Sequence, residues 1–236
     1  MALLLFDIDG TLLRPAGLGR RAFEAAVRDL YGEPSATAFL YDGLLDTQIA
    51  RRTLGLLGVS ATDERVDALL SSYLAHLAAS PAPDAEGLRC PGVSRVLEEA
   101  AERGHHAALL TGNLREGAQI KLAFAGLTRH FQENGPESPL LGAFARDAAE
   151  RWELVAVALD RCRRAFSRPF RRGEIWVVGD SARDVEAARR AGVRCAAVAT
   201  GLAPFEALRA LSPDLLLADL QDPEPLWRAV ERGGGP

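Results

Sequence analysis

The sequence predicts an α/β fold in which a parallel sheet is covered by helices on both faces and a helical insert interrupts the chain once. Three observations predict it. Short apolar runs end in small or acidic residues and lead into helical patterns. The polar residues at those run ends sit where open α/β sheets bind ligands, at the C-terminal ends of the strands. Between the first run and the second, from about residue 14 to 90, the apolar residues keep helical period with no strand of comparable strength.

The elements follow in order. Residues 2–6 read as the first strand and run into Asp7. Residues 19–31, 47–57 and 62–79 carry helix-period apolar positions, so three or four helices are expected there. Segment 80–92, with Pro81, Pro83, Gly87 and Pro91, reads as the return linker, and 93–103 as the next helix. The second strand, 106–110, runs into Thr111 and is followed by a helix over 114–125. A further helix lies within 142–159, a strand at 175–178 leads into Gly179-Asp180, and 194–199 and 215–217 read as two more strands. The expected organisation is a core of residues 1–13 and 93–236 with a helical insert over 14–92. The one low-complexity tract is the short glycine run at 233–235.

Composition narrows the function classes. The 236 residues suit one large domain or a core with a smaller attached unit. With 28 basic and 32 acidic side chains, the net charge of -4 is too mild for a polybasic nucleic-acid surface, so no nucleic-acid partner is expected. No apolar run approaches the roughly 18 residues that would span a bilayer, and the N-terminal stretch lacks a signal peptide's basic region. Cys90, Cys162 and Cys195 are odd in number and scattered, which fits reduced thiols in a cytoplasmic protein. Lys121 is the only lysine, the other basic residues being arginine, so chemistry that needs a lysine has one candidate.

Three segments carry chemistry. In Phe6-Asp7-Ile8-Asp9-Gly10-Thr11, the two acids share one face of a strand end. Buried like charges are costly, and a divalent cation between them removes the cost. Gly10 lets the backbone turn close to a ligand. Leu110-Thr111-Gly112-Asn113 puts a hydroxyl and free N–H groups at a helix start, an anion site in character, although Thr and Asn are also common caps. Gly179-Asp180-Ser181-Ala182-Arg183-Asp184 sets two acids four residues apart at another strand-to-helix turn. They suit a metal, or the cap of the helix.

Together these segments resemble the haloacid dehalogenase-like hydrolase superfamily, with its first, second and fourth motifs in order over nearly the whole chain. The resemblance implies a Rossmann-like core with a helical cap inserted after the first motif. It implies Asp7 as a nucleophile forming an aspartyl-phosphate, and Asp9 as acid then base. It implies Thr111 with the amides around Gly112, and Asn113 nearby, as phosphoryl holders. Mg²⁺ would lie on Asp7, the Asp9 carbonyl and Asp180, with Asp184 in support. An acid at position 9 is similar to phosphatases first and phosphoglucomutases second. The expected partner is a small phosphorylated metabolite. A phosphoglucomutase-like isomerase and a non-catalytic phospho-ligand binding protein are the alternatives.

The family's third motif, usually a lysine 25–30 residues before the fourth, has no lysine here. Arg151, 29 residues before Asp180, is the preferred substitute and Arg146 the second. Lys121, two turns into its helix, reads as a solvated residue. In the insert, Gly43-Leu44-Leu45-Asp46 stands where a related branch carries Gly-Arg-Thr-Asp. Two leucines replace the polar pair, and Asp46 reads equally well as the cap of its own helix. None of the four histidines is assigned to catalysis.

Overall fold

A computed structural model describes residues 1–14, 17–132, 135 and 137–233; residues 234–235 of the glycine tract lie outside them. After strand β1 (Leu3–Phe6) come helices α1 (Leu18–Tyr31), α2 (Asp46–Leu56), α3 (Asp63–Ala78) and the single turn α4 (Ala85–Leu88). Then follow α5 (Val93–Glu102), β2 (His106–Leu110), α6 (Arg115–Phe124), β3 (Gly142–Ala143) and α7 (Leu154–Ala165). The chain finishes with β4 (Ile175–Gly179), α8 (Ala182–Ala191), β5 (Arg194–Val198), α9 (Phe205–Ala210), β6 (Leu215–Leu217) and α10 (Glu224–Gly233).

The six strands form one sheet in the order β3-β2-β1-β4-β5-β6, with parallel pairing throughout. This is the expected Rossmann-like α/β architecture. The two-residue β3 is an addition: two residues carry too little apolar pattern to read as a strand. Because β1 is central and the order reverses across it, the ends of β1, β2 and β4 meet at a topological switch point.

Strand period divides the interior in two. Leu3, Leu5, Ala108, Leu110, Val177 and Cys195 face one side and pack with α7 and α8. Leu4, Phe6, Leu109, Trp176, Val178 and Ala196 face the other and pack with α5, α6 and α10. Both faces are dry, which explains why β1 reads as an unbroken apolar run. Helices α1 and α2 pack on α3, and their buried residues (Phe23, Leu54, Leu69, Tyr73) join the first of these clusters. No described helix is long and apolar enough to cross a membrane.

Two of the histidines, His105 and His106, serve the scaffold. His106 stacks on Phe166 with ring centroids 3.8 Å apart, and His105 Nδ1 accepts from the Ala2 N–H at 3.0 Å. Cys90, Cys162 and Cys195 are buried and form no disulfide among the described residues.

Candidate active site

The site starts with the way β1 stops. Asp7 N–H still donates to the Val178 carbonyl of β4 at 3.0 Å. One residue later the chain turns: the Ile8 carbonyl accepts from Leu12 and Leu13 N–H at 2.9 and 2.8 Å. Gly10 has φ +91°, and a Cβ there would lie 2.2 Å from Asp180 Oδ2. The backbone of the turn therefore lies against the Asp180 carboxylate that follows β4, as close approach requires of glycine. Asp7 and Asp9 both line a cavity of about 380 Å³.

Each of these carboxylates has its own cation. Arg151 Nη2 lies 3.0 Å from Asp7 Oδ1 and also donates to Asp184 Oδ1 at 2.5 Å. Its Nε donates to the same Asp184 oxygen at 3.1 Å. Arg151 is thus brought to Asp7, whereas Arg146 lies on the surface, paired with Asp67. Lys121 corrects the reading of a solvated helix residue. It is only 5% exposed, and its Nζ donates to Asp9 Oδ1 and Oδ2 at 2.8 and 2.6 Å and to Asn113 Oδ1 at 2.7 Å. Distance along the helix misled: Lys121 lies about 9 Å from the first residue of α6, but helical side chains lean toward the N-terminus and a lysine stem is long.

Around this pair of pairs, Asn113 Nδ2 donates to Asp9 Oδ2 and to Thr111 Oγ1, both at 2.8 Å. Thr111 itself is fully buried behind Asn113 and does not line the cavity, while Gly112 and Asn113 do. Asp180 lines it too and accepts from Thr11 Oγ1 at 2.9 Å. Asp184 is completely buried, held by Arg151 and by Ser181 Oγ at 2.7 Å. Asp7, Asp180 and Asp184 offer carboxylate oxygens within 4.8 Å of one another, all buried. Asp9 is not in this carboxylate group; its side chain is half exposed to the cavity.

The electrostatics follow from burial and neighbours. Burial pushes Asp7 up to about 6; Arg151 opposes the shift and Asp184 adds to it. Asp180 is pushed up to about 9 by burial and by the Asp7 and Asp184 charges. Burial would raise Asp9 as well, but the Lys121 ammonium outweighs it and holds the carboxyl below its ordinary value. Among the described residues, Asp180 therefore has no cation beside it, whereas Asp7 and Asp9 each have one.

The insert closes the cavity through main-chain contacts. Asp46 N–H donates to the Gly112 carbonyl at 2.7 Å, and Asp46 Oδ2 accepts from Leu114 N–H at 2.8 Å. Asp46 thus caps α6 of the core. Its own helix is started by Leu45, whose N–H donates to Gln48 Oε1. Of the two leucines, Leu44 lines the cavity and Leu45 is fully buried in the core. Arg183 Nε, in α8, donates to the Asp42 carbonyl at 3.1 Å. Burial pushes the Asp46 carboxyl up to about 6, with Lys121 opposing.

The family model described as "haloacid dehalogenase-like hydrolase" matches residues 4–189. The chain belongs to this family. It is similar to "Probable phosphatase IndB" of Dickeya dadantii, 28% identical over 226 residues covering 91% of this chain and 88% of that one. It is also similar to pyrophosphatase PpaX of Halalkalibacterium halodurans, at 25% identity over 93% of both chains. Among solved structures, a hydrolase from Pseudomonas syringae superposes with TM-score 0.70 over 98% of this chain and 99% of that one, at 18% identity. Membership makes the chain a haloacid dehalogenase-like hydrolase.

Proposed function

We propose that this chain is a phosphomonoesterase that hydrolyses a small organic phosphate through a covalent phosphoryl intermediate on Asp7. The observation that carries the reading is the pair of adjacent acids after β1, one paired with Arg151 and the other with Lys121, both facing one cavity. The names of the curated relatives, a phosphatase and a pyrophosphatase, support the same class of reaction. The helices of 14–92 serve as a cap over the core of 1–13 and 93–236.

Asp7 attacks phosphorus, and its new O–P bond forms as the bond to the alcohol oxygen breaks. Asp9 gives the departing oxygen a proton. Water then attacks the phosphoryl group, Asp9 takes its proton, and Asp7 is freed with inorganic phosphate. With Asp7 raised to about 6, it is an anion near neutral pH, and Arg151 holds it in place. Asp9 is ionised while Lys121 holds it. An arriving phosphate dianion competes for that ammonium and brings negative charge beside Asp9, and both effects favour its protonated form. The Gly112 and Asn113 amides and the Lys121 ammonium are the donors for the phosphoryl oxygens.

Asp7, Asp180 and Asp184 fit a hard divalent cation, because they are clustered oxygen donors whose mutual repulsion is otherwise uncompensated at Asp180. The Asp9 carbonyl completes the proposed Mg²⁺ ligand set. Mg²⁺ bound there supplies neutralisation of the two anions that must meet.

Phosphate release from a panel of phosphorylated metabolites, with and without Mg²⁺, tests the reading. Asp7→Asn should lose at least about 10³-fold in kcat. A wild-type rate in that variant overturns the proposal, and sugar-phosphate isomerisation without net phosphate release assigns the chain to the mutase class.

A further inference from the structure

We infer that the leaving group of the substrate is a neutral, largely apolar alcohol, and that the cavity selects against a second anionic group. The inference rests on the phosphomonoesterase reading and concerns the part of the cavity beyond the acids.

The insert lines that part with Leu18, Phe23, Leu44, Ile49 and Tyr73. Two carboxylates, Asp42 and Asp46, share the wall. The cations nearest the acids are already committed, Arg151 to Asp7 and Asp184, and Lys121 to Asp9. Of the other arginines lining the cavity, Arg20 donates to the Thr37 and Phe39 carbonyls at 3.0 and 2.6 Å and lies over the Tyr41 ring at 4.0 Å. Arg14 lines the cavity as an exposed residue.

A phosphoryl group attracts Arg151 and Lys121 because the reacting end needs them. A second anion on the leaving group would sit among leucine and aromatic side chains beside two carboxylates. It would lose its water there, with only the exposed Arg14 and an Arg20 already held by two carbonyls as lining cations beyond the reacting end, which is the expensive way to bury charge. A polyol would lose hydrogen bonds to water against the same wall, since buried hydroxyls without partners are costly. An apolar body loses nothing and gains contact area. The Leu44 backbone is packed against the phosphoryl site: its carbonyl oxygen would lie 2.2 Å from a Cβ at Gly112, so this part of the wall is held close to that site.

Three phosphate esters with alkoxide leaving groups test this on the full chain with Mg²⁺: benzyl phosphate, glycerol 2-phosphate and 2-phosphoglycolate. The expected result is a kcat/KM for benzyl phosphate at least tenfold above the other two. Leu44→Asn should lower the benzyl value about tenfold and leave the glycerol 2-phosphate value within twofold. Asp46→Asn should raise the phosphoglycolate value several-fold. A preference for phosphoglycolate that Arg14→Ala abolishes overturns the inference and shows that Arg14 receives a second anion; equal values for all three overturn it too. If none is turned over, the phosphatase reading has failed by itself. Affinities for 2-phenylethylphosphonate and 3-phosphonopropionate by calorimetry then decide the inference: tighter phenylethyl binding supports it, and equal or reversed affinities overturn it.

Discussion

Arg151 and Lys121 divide between them the task of holding two neighbouring acids in different states. Arg151 uses its planar fork to bridge Asp7 and Asp184, a geometry that an ammonium cannot copy. Arg151→Lys should therefore keep only part of the activity, and Arg151→Ala should lose at least about 10²-fold in kcat/KM. The alanine variant should also be destabilised by about 3–5 kcal/mol, because it strands buried carboxylates. Lys121→Met keeps the stem and removes the charge; it should lose about 10²-fold in kcat with a smaller loss of stability. Steady-state phosphate release and urea denaturation on the same preparations check both. Full turnover in Lys121→Met removes Lys121 from the site chemistry. Asp7, Asp9 and Asp180 were legible from their places at strand ends, because a parallel sheet collects such residues, whereas Arg151 came from the family resemblance, by its distance from Asp180. Lys121 was legible in neither way. Its partner Asp9 is 112 residues away in the chain, and the direction a side chain leans is invisible in hydrophobic periodicity.

At the scale of elements, the contact between the start of α2 and the start of α6 ties insert to core. Asp46 supplies it with one N–H and one carboxylate oxygen, and burial raises that carboxyl to about 6. An unfolded aspartate titrates near 3.9. Between about pH 4 and 6 the folded chain therefore binds more protons than the unfolded chain, and this group's contribution to stability falls as pH rises through that window. Above pH 6 the ionised form carries the full penalty, on the order of 1–2 kcal/mol for a partly exposed group. Asp46→Asn keeps an acceptor for Leu114 N–H without the charge. Its stability relative to the parent should rise from pH 4.5 to 7 in denaturant melts; a constant difference across that range rejects the account. The sequence placed a helix start here but not its partner, since Asp46 reads as a cap whichever helix it serves. For the two-residue β3 there is no local pattern at all: it exists because β2 has a free edge beside it.

For the whole molecule, the sheet order does most of the positioning. Dry faces on both sides leave unbroken apolar runs in the sequence, and this is why β1, β2, β4 and β5 could be read directly. The reversal of order at β1 puts Asp7, just after β1, and Asp180, just after β4, side by side, and Asp184 adds a third charge from α8. With Asp180 raised to about 9, the metal-free chain holds a proton in this cluster at neutral pH. Mg²⁺ bound there as proposed would have to displace it. Titration calorimetry at pH 7 in two buffers of different ionisation enthalpy should show release on the order of one proton per ion, and apparent affinity should rise with pH up to about 9. Binding without proton release would mean that the ion does not use Asp180.

The crowding of Asp180 has a further consequence. A Cβ at Gly201 would lie 1.6 Å from Asp180 Oδ2, and one at Gly10 would lie 2.2 Å away. Gly10, at φ +91°, needs glycine for its backbone as well, but Gly201 has no such backbone requirement. A side chain at position 201 would collide with the Asp180 carboxylate, so that acid holds position 201 to glycine. The two sites are therefore bound in their inheritance: a lineage that gave up the acid would release residue 201 to drift, and once a side chain had settled there, the acid could not return by a single change.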